Sequence, residues 1–166
     1  MADKTLNDLF YDTLRDIYYA ERKILKSLPK MARNAQSDQL KKAFQKHRDE
    51  TEGQVERLQQ VFEIIGKSAR AKTCPAIDGI VEEAEEIMDE FKGSPALDAG
   101  LLAAAQAVEH YEISRYGTLA TWARELGLKD VVALLEQTLA EEAKTDEALT
   151  KIAQTAVNQA AQKKAA

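Results

Sequence analysis

The sequence predicts an all-α fold, a four-helix bundle made of two antiparallel helix pairs that are joined by a long crossover. The 166 residues include only 7 Gly and 3 Pro, too few for the tight turns of an antiparallel β fold. Apolar residues recur at helical spacing over four long stretches. The length is typical of one domain, and we expect it to span residues 1–158, followed by a frayed tail over 159–166.

The first helix pair is predicted from two long apolar stripes. The first stripe runs over residues 5–32, and the second runs over residues 40–62. Ser37 or Asp38 in the polar break is placed to cap the second helix. Because the break is short, the two helices are expected to be antiparallel neighbours.

The second pair follows a crossover that carries a short helix of its own. Residues 66–75 lack periodicity, and a short amphipathic helix is predicted over 77–91. The next stripe covers 97–123, and the last long helix is predicted from Lys129 to Ile152. One long crossover between two hairpins is a known four-helix bundle arrangement.

Composition and charge exclude several classes of function. The mean hydropathy is -0.43, and no window approaches the roughly 20 apolar residues that span a bilayer. A net charge of -5 opposes binding to nucleic acid, which requires a basic surface. The start MADKTLNDLF lacks the pattern of a secretory signal, so a cytoplasmic location is expected. The single cysteine, Cys74, can form neither an intrachain disulfide nor a thiolate metal site by itself.

Several carboxylates interrupt the apolar stripes where the bundle core is expected. The candidate inward-facing residues are Glu21, His47, Glu50, Glu109, Glu112 and Glu142. A buried ionised Glu requires a counter-charge, and most nearby cations lie off the stripes, with Arg115 as the nearest exception. Oxygen ligands with one imidazole suit iron or manganese, and a bundle can hold two such ions. The alternative is a buried network of hydrogen-bonded carboxylates.

An internal repeat relates the two helix pairs at an offset of 91 residues, the separation of Glu21 and Glu112. The same register aligns Glu50 with Glu141. On the last helix the repeat favours Glu141 as the ligand, whereas the centre of the apolar face favours Glu142. Both stay candidates, and Glu142 is preferred.

Other polar residues flank the candidate ligands. Tyr116 lies one turn beyond Glu112 on the same face and is the best candidate to bond a ligand carboxylate. Thr51 and Gln54 follow Glu50 at helical spacing and are candidates to orient it. For each of the three, ordinary packing or a tolerated polar position is the alternative. His110 lies about 160° around the helix from Glu112 and is placed outside the site.

Four segments carry a resemblance to a known family: LRDIYYAERKI, KHRDETEGQVERL, AVEHYEISRYGTLATWA and LAEEAKTDEAL. Together they resemble the YciE/YciF family of bacterial ferritin-like proteins over nearly the whole chain. The resemblance implies a ferritin-like four-helix bundle with a carboxylate-bridged dimetal centre and an association with stress responses.

Similarity to rubrerythrin-type centres implies a ligand set of Glu21, Glu50, Glu109, Glu112 and either Glu141 or Glu142. Those centres use Glu-x-x-His on the second and fourth helices, but Gly53 and Lys144 stand at the imidazole positions. His47 is the candidate substitute on the second helix, and Asp146 is the candidate to complete the fourth. The departure puts rubrerythrin-like peroxidase activity in doubt.

The expected function is a dimetal carboxylate protein that binds two metal ions, iron before manganese, in bacterial stress defence. The candidate reaction is oxidation of Fe(II) by peroxide or dioxygen. The alternative is a non-enzymatic helical interaction or structural protein with a vestigial metal site. A homodimer is expected, with neither a nucleic acid nor a membrane as partner. A mineral-storing cage is disfavoured because the additional helix lies in the crossover.

Overall fold

The computed structural model describes residues 3–163, and every regular element in that range is helical. The helices are α1 (Leu6–Asn34), α2 (Asp38–Ile64), α3 (Pro75–Glu90), α4 (Leu97–Glu125), α5 (Lys129–Ile152) and α6 (Asn158–Ala161), with a π-helical segment at Ala153–Val157 before α6. The all-α prediction is confirmed, and α3 is the predicted short helix of the crossover.

Local sequence explains where the helices begin and end. Thr5 and Asp8 form a reciprocal capping box at the start of α1. Ser37, not Asp38, caps α2, and its hydroxyl accepts a hydrogen bond from the backbone N–H of Leu40. The turn after α4 contains Gly127 with a φ of 72°, in the left-handed region that glycine adopts without strain.

The four long helices pack as a bundle in which each neighbour is antiparallel. The helix α1 packs on α2 and α4, and α5 packs on the other sides of α2 and α4. The short helix α3 lies outside, along the groove between α1 and α4. This arrangement buries one core of aliphatic and aromatic side chains that is continuous through the bundle.

One buried carboxylate ties the two helix pairs together at a common height. The two oxygens of Asp98, at the start of α4, accept hydrogen bonds of 2.7 Å from the backbone N–H groups of Gln36 and Ser37. These N–H groups lie in the turn between α1 and α2. The contact fixes the start of α4 beside the turn that joins α1 to α2.

The chain stays helical beyond α5. Ala153 and Val157 of the π-helical segment are buried against the core, and α6 continues to Ala161. Part of the segment 159–166 that was predicted to fray is therefore helical, and residues 164–166 lie outside the described range. Within that range no helix is long and apolar enough to cross a membrane.

Candidate metal centre

Four buried side chains from three helices meet at the centre of the bundle. His47 of α2, Glu109 and Glu112 of α4, and Glu142 of α5 each present one potential ligand atom, and these atoms all lie within 4.8 Å of one another. The three glutamates are 0% exposed and the histidine is 2% exposed. All four residues lie on the inward stripes of their helices, which explains why they converge.

The helix α1 contributes a fourth buried carboxylate. Glu21 is 0% exposed, and its Oε1 accepts a hydrogen bond of 2.5 Å from the hydroxyl of Tyr116. Its other oxygen, Oε2, has no hydrogen-bond partner. Tyr116, which the sequence suggests for bonding a candidate ligand carboxylate, lies on the neighbouring helix α4 and orients Glu21.

These five residues leave many buried polar atoms unpaired. Both oxygens of Glu109, Glu112 and Glu142 lack a hydrogen-bond partner, as do both ring nitrogens of His47. The imidazole Nδ1 lies 3.0 Å from Oε1 of Glu109, and Nε2 lies 3.7 Å from Oε2 of Glu142, but neither contact has hydrogen-bonding geometry. Within residues 3–163, no Lys or Arg forms a salt bridge with any of the four carboxylates. Unpaired buried groups of this kind are costly.

Burial also changes the protonation of the cluster. Burial, together with the charge of Glu142, raises the pKa of Glu21 to about 8. Burial likewise raises the pKa of Glu109 and Glu112 well above the ordinary carboxyl value and that of Glu142 above it, and repulsion from neighbouring carboxylates adds to the rise for all three. Burial lowers the pKa of His47 to about 4. The imidazole is therefore neutral near pH 7, as a metal ligand must be.

Three other candidate ligands lie in an outer layer, and each has partners of its own. Two guanidinium nitrogens of Arg57 lie 3.0 Å from the two oxygens of Glu141. Burial alone would raise the pKa of Glu141, but hydrogen bonds from Arg57 and Gln54 bring it below its usual value. Glu50 pairs with Lys46 at 3.3 Å, and Asp146 lies 3.1 Å from the exposed His110. The structure does not bring Glu50, Glu141 and Asp146 into the inner cluster.

The residues expected to orient Glu50 make different contacts. The hydroxyl of Thr51 donates a hydrogen bond to the backbone carbonyl of His47, 2.8 Å away on the same helix. The amide of Gln54 donates to Glu141 at 3.1 Å, and its buried carbonyl oxygen has no partner. Thr51 therefore bonds to the backbone of α2, and Gln54 links the outer layer across α2 and α5.

Sequence reasoning missed Arg57, which holds Glu141 in the outer layer. Its guanidinium also donates a hydrogen bond of 2.6 Å to the buried hydroxyl of Thr138. The signal was present, because Glu50, Gln54 and Arg57 are spaced at i, i+4 and i+7 and share one face of α2.

Comparison with known proteins places the chain in a family. The model of a domain of unknown function, DUF892, matches residues 5–162. The chain belongs to this family. It is 45% identical over 144 residues to the Escherichia coli (strain K12) protein YciF, and the alignment covers 86% of each protein. The resemblance to the YciE/YciF family is thereby confirmed.

Two solved structures of similar proteins share the fold. The crystal structure of the E. coli stress protein YciF matches with a TM-score of 0.90 and 43% identity, over 95% of this chain and 99% of that one. YcfI from Rhodopseudomonas palustris, described as a candidate structural protein, matches with a TM-score of 0.85 and 48% identity, over 89% and 94% of the two chains.

The geometry explains how this DUF892 member departs from the Glu-x-x-His pattern. Gly53 and Lys144 follow Glu50 and Glu141 by three residues, and both glutamates lie in the outer layer. A histidine at position 53 or 144 would therefore lie three residues after a carboxylate of the outer layer, and not after one of the inner cluster. The imidazole at the centre of this protein comes instead from His47, on the buried face of α2.

Proposed function

We propose that this protein binds two transition-metal ions at the bundle centre, with iron as the first choice and manganese as the second. The residues that would hold them are Glu21, His47, Glu109, Glu112 and Glu142. The supporting observation is the set of buried carboxylate and imidazole atoms that have no hydrogen-bond partner. Metal ions supply the positive charge that these atoms lack, and binding displaces the protons that the carboxyls hold without it.

The donor set fits this choice of metals. Carboxylate oxygens with one imidazole suit iron and manganese, whereas zinc and copper sites favour more nitrogen or sulfur. Four carboxylates can offset the charge of two divalent ions. The hydroxyl of Tyr116 holds Glu21 in place, so one ligand is oriented before any metal arrives.

The proposed reaction is oxidation of Fe(II) as a substrate in stress defence. Two Fe(II) ions give one electron each, and peroxide takes these electrons and two protons to yield two water molecules. Dioxygen takes two electrons and two protons to yield peroxide. The similar E. coli protein YciF is described as a stress protein, which supports a protective role.

A structural role is the alternative, supported by the description of the similar R. palustris protein. In that case the inner carboxylates would be a relic held in the protonated form. The raised pKa of Glu21 is compatible with a network of protonated, hydrogen-bonded carboxyl groups. Metal content separates the two proposals.

The decisive experiment measures metal per chain by elemental analysis after anaerobic Fe(II) loading and desalting. The test variant is Glu142→Gln, and the matched control is Glu141→Gln at the adjacent residue. We expect bound iron in the native protein, a large loss in Glu142→Gln, and native content in Glu141→Gln, because Arg57 engages Glu141. Absence of metal from the native protein, or equal content in all three, would overturn the metal proposal.

Turnover needs a separate measurement. Fe(II) oxidation is followed by stopped-flow absorbance with peroxide and with dioxygen, in native protein and in Glu112→Gln. We expect the protein-dependent rate to fall to the background in the variant. Native protein that binds iron but oxidises it no faster than buffer would restrict the function to binding or storage.

A further inference from the structure

An apolar cavity lies beneath α3, between α1 and α4, and reaches the candidate metal centre. Its walls include Ile24 and Leu28 of α1, Val81 and Ala84 of α3, and Ala105 and Val108 of α4. Its inner end is lined by His47 of α2. The cavity offers about 20 Å³ to the centre of a water-sized molecule, which is enough for one very small molecule.

The outer end of the cavity lies at the seam between α1 and α3. Lys30 and Glu85 line it there and form a salt bridge of 3.0 Å across the seam. Two turns before Glu85 on α3, Asp78 accepts a hydrogen bond from the hydroxyl of Tyr19 and forms a salt bridge of 3.3 Å with Lys23. The outer wall of the cavity is thus the short helix α3. Polar contacts along the seam attach this helix to α1.

The lining determines which molecules the cavity suits. Its polar members are Ser27, Lys30 and Glu85 near the seam and His47 at the inner end, and the other lining side chains are aliphatic or thioether. The hydroxyl of Ser27 already donates a hydrogen bond to the backbone carbonyl of Lys23. A hydrated cation or peroxide finds few partners on such walls, whereas small apolar molecules enter apolar cavities readily.

We propose that this cavity is the route and holding site by which dioxygen reaches the bundle centre. The proposal rests on the proposed metal site, because His47 at the inner end is one of its ligands. It commits to the apolar oxidant, dioxygen. Under this proposal, the crossover helix α3 forms the outer wall of an oxidant channel.

The first test uses xenon as the probe in crystals of the metal-free protein, pressurised before data collection. We expect a xenon peak beside Ala84 in the native protein. Ala84→Leu fills the cavity from α3 and is expected to lose the peak. Ala76→Leu introduces the same side chain at an exposed position of α3 and is expected to keep it. A native crystal without xenon in this cavity would overturn the proposal, whether or not the variants fold.

The second test compares the two oxidants on iron-loaded protein. Ala84→Leu is expected to slow dioxygen-driven oxidation several-fold, with metal content and the peroxide-driven rate unchanged. An unchanged dioxygen rate, or an equal loss with both oxidants, would overturn the proposed route. Iron binding without xenon uptake overturns the cavity proposal alone, whereas xenon uptake without iron binding overturns the proposed function and, with it, the oxidant role of the cavity.

Discussion

The two helix pairs of the bundle can be compared residue by residue, because an offset of 91 residues aligns the first pair, α1 and α2, with the second pair, α4 and α5. Glu21 and Glu112 are equivalent in this register and are both fully buried. The other inner positions differ. At this offset Glu109 is equivalent to Tyr18, and His47 is equivalent to Thr138. The two pairs therefore share a frame and differ in the chemistry that they bring to the centre.

Two hydrogen bonds of the outer layer keep a symmetry that the inner layer has lost. Gln54 donates to Glu141 at 3.1 Å, and Thr145 donates to Glu50 at 3.4 Å. Both the donors and the acceptors of these two contacts are equivalent at the offset of 91 residues. These two reciprocal contacts join α2 to α5 at both equivalent positions of the repeat.

The difference teaches that a repeated hairpin can build the frame while single substitutions specialise the site. The first pair supplies one inner carboxylate and the imidazole, and the second pair supplies three carboxylates. Two metal ions bound here would therefore have unlike surroundings. Each of the following changes tests a position that the two pairs share or at which they differ.

Removing the imidazole is expected to have the largest effect. His47→Asn removes the imidazole that we propose as a metal ligand, for which the second pair has no equivalent. We expect metal affinity to fall by more than about 100-fold, since even outer partners of metal ligands are worth about 10-fold to 100-fold. Competition with a metal-sensing dye measures the change. The control is His110→Asn, at a histidine that is 69% exposed, and equal losses in both variants would contradict the assignment of His47.

Neutralising Glu21 is expected to stabilise the metal-free protein, increasingly so at higher pH. Its pKa of about 8 lies above the ordinary value of 4.5, so between these values the folded state holds more protons than the unfolded state. Stability of the native protein therefore falls as pH rises from 4.5 to 8, by up to about 1.4 kcal/mol per pH unit and proton. Glu21→Gln lacks this loss, and urea unfolding of the two proteins from pH 5 to pH 8 measures the widening difference.

The control for this pH dependence is Glu141→Gln, whose stability difference from the native protein is expected to stay nearly constant from pH 5 to pH 8 and to change only at lower pH, with the opposite sign. The pKa of Glu141 lies below its usual value because the hydrogen bonds from Arg57 and Gln54 outweigh the effect of burial. Its contribution is present above the ordinary carboxyl pKa and is lost as pH falls. A difference that stays constant from pH 5 to pH 8 for Glu21→Gln as well would show that its carboxyl is already ionised in the folded protein.

The inner carboxylates of α1 and α4 could be predicted from sequence because a charge in the middle of an apolar stripe is conspicuous. Glu21, Glu109 and Glu112 each interrupt such a stripe, and the structure places all three in the core. The helices and most of their ends follow from the same periodicity and from residues such as Ser37. These features depend on neighbours along one helix, so the sequence contains enough information.

The choice between Glu141 and Glu142 depends on a contact between helices that are far apart in sequence. The two residues are adjacent, and the repeat and the apolar face pointed to different ones. Arg57 of α2 holds Glu141 in the outer layer, while Glu142 faces the centre. The cavity beneath α3 was likewise beyond sequence reasoning, because it depends on where the crossover helix lies in the groove.

A smaller effect is expected from the outer ion pairs, one of which joins the two pairs of helices while the other lies within α2. Arg57 binds Glu141 through two nitrogens and is 13% exposed, whereas Lys46, which pairs with Glu50, is 70% exposed. Arg57→Gln should destabilise the fold by about 2 kcal/mol, because Glu141 and Thr138 lose their charged donor. Lys46→Gln should change stability by less than about 0.5 kcal/mol. Urea unfolding at pH 7 compares them, and equal losses would contradict the difference.

The smallest effect is expected at the helical glycines. Gly53 of α2 and Gly117 of α4 would meet no atom within 4 Å of an added Cβ. Replacing either with Ala should stabilise the protein by about 0.5–1 kcal/mol, since glycine loses more backbone entropy on folding. Neither change should alter metal content, because Gly53 follows the outer carboxylate Glu50. Thermal unfolding and elemental analysis measure both quantities, and a loss of metal in Gly53→Ala but not in Gly117→Ala would mean that position 53 borders the metal centre after all.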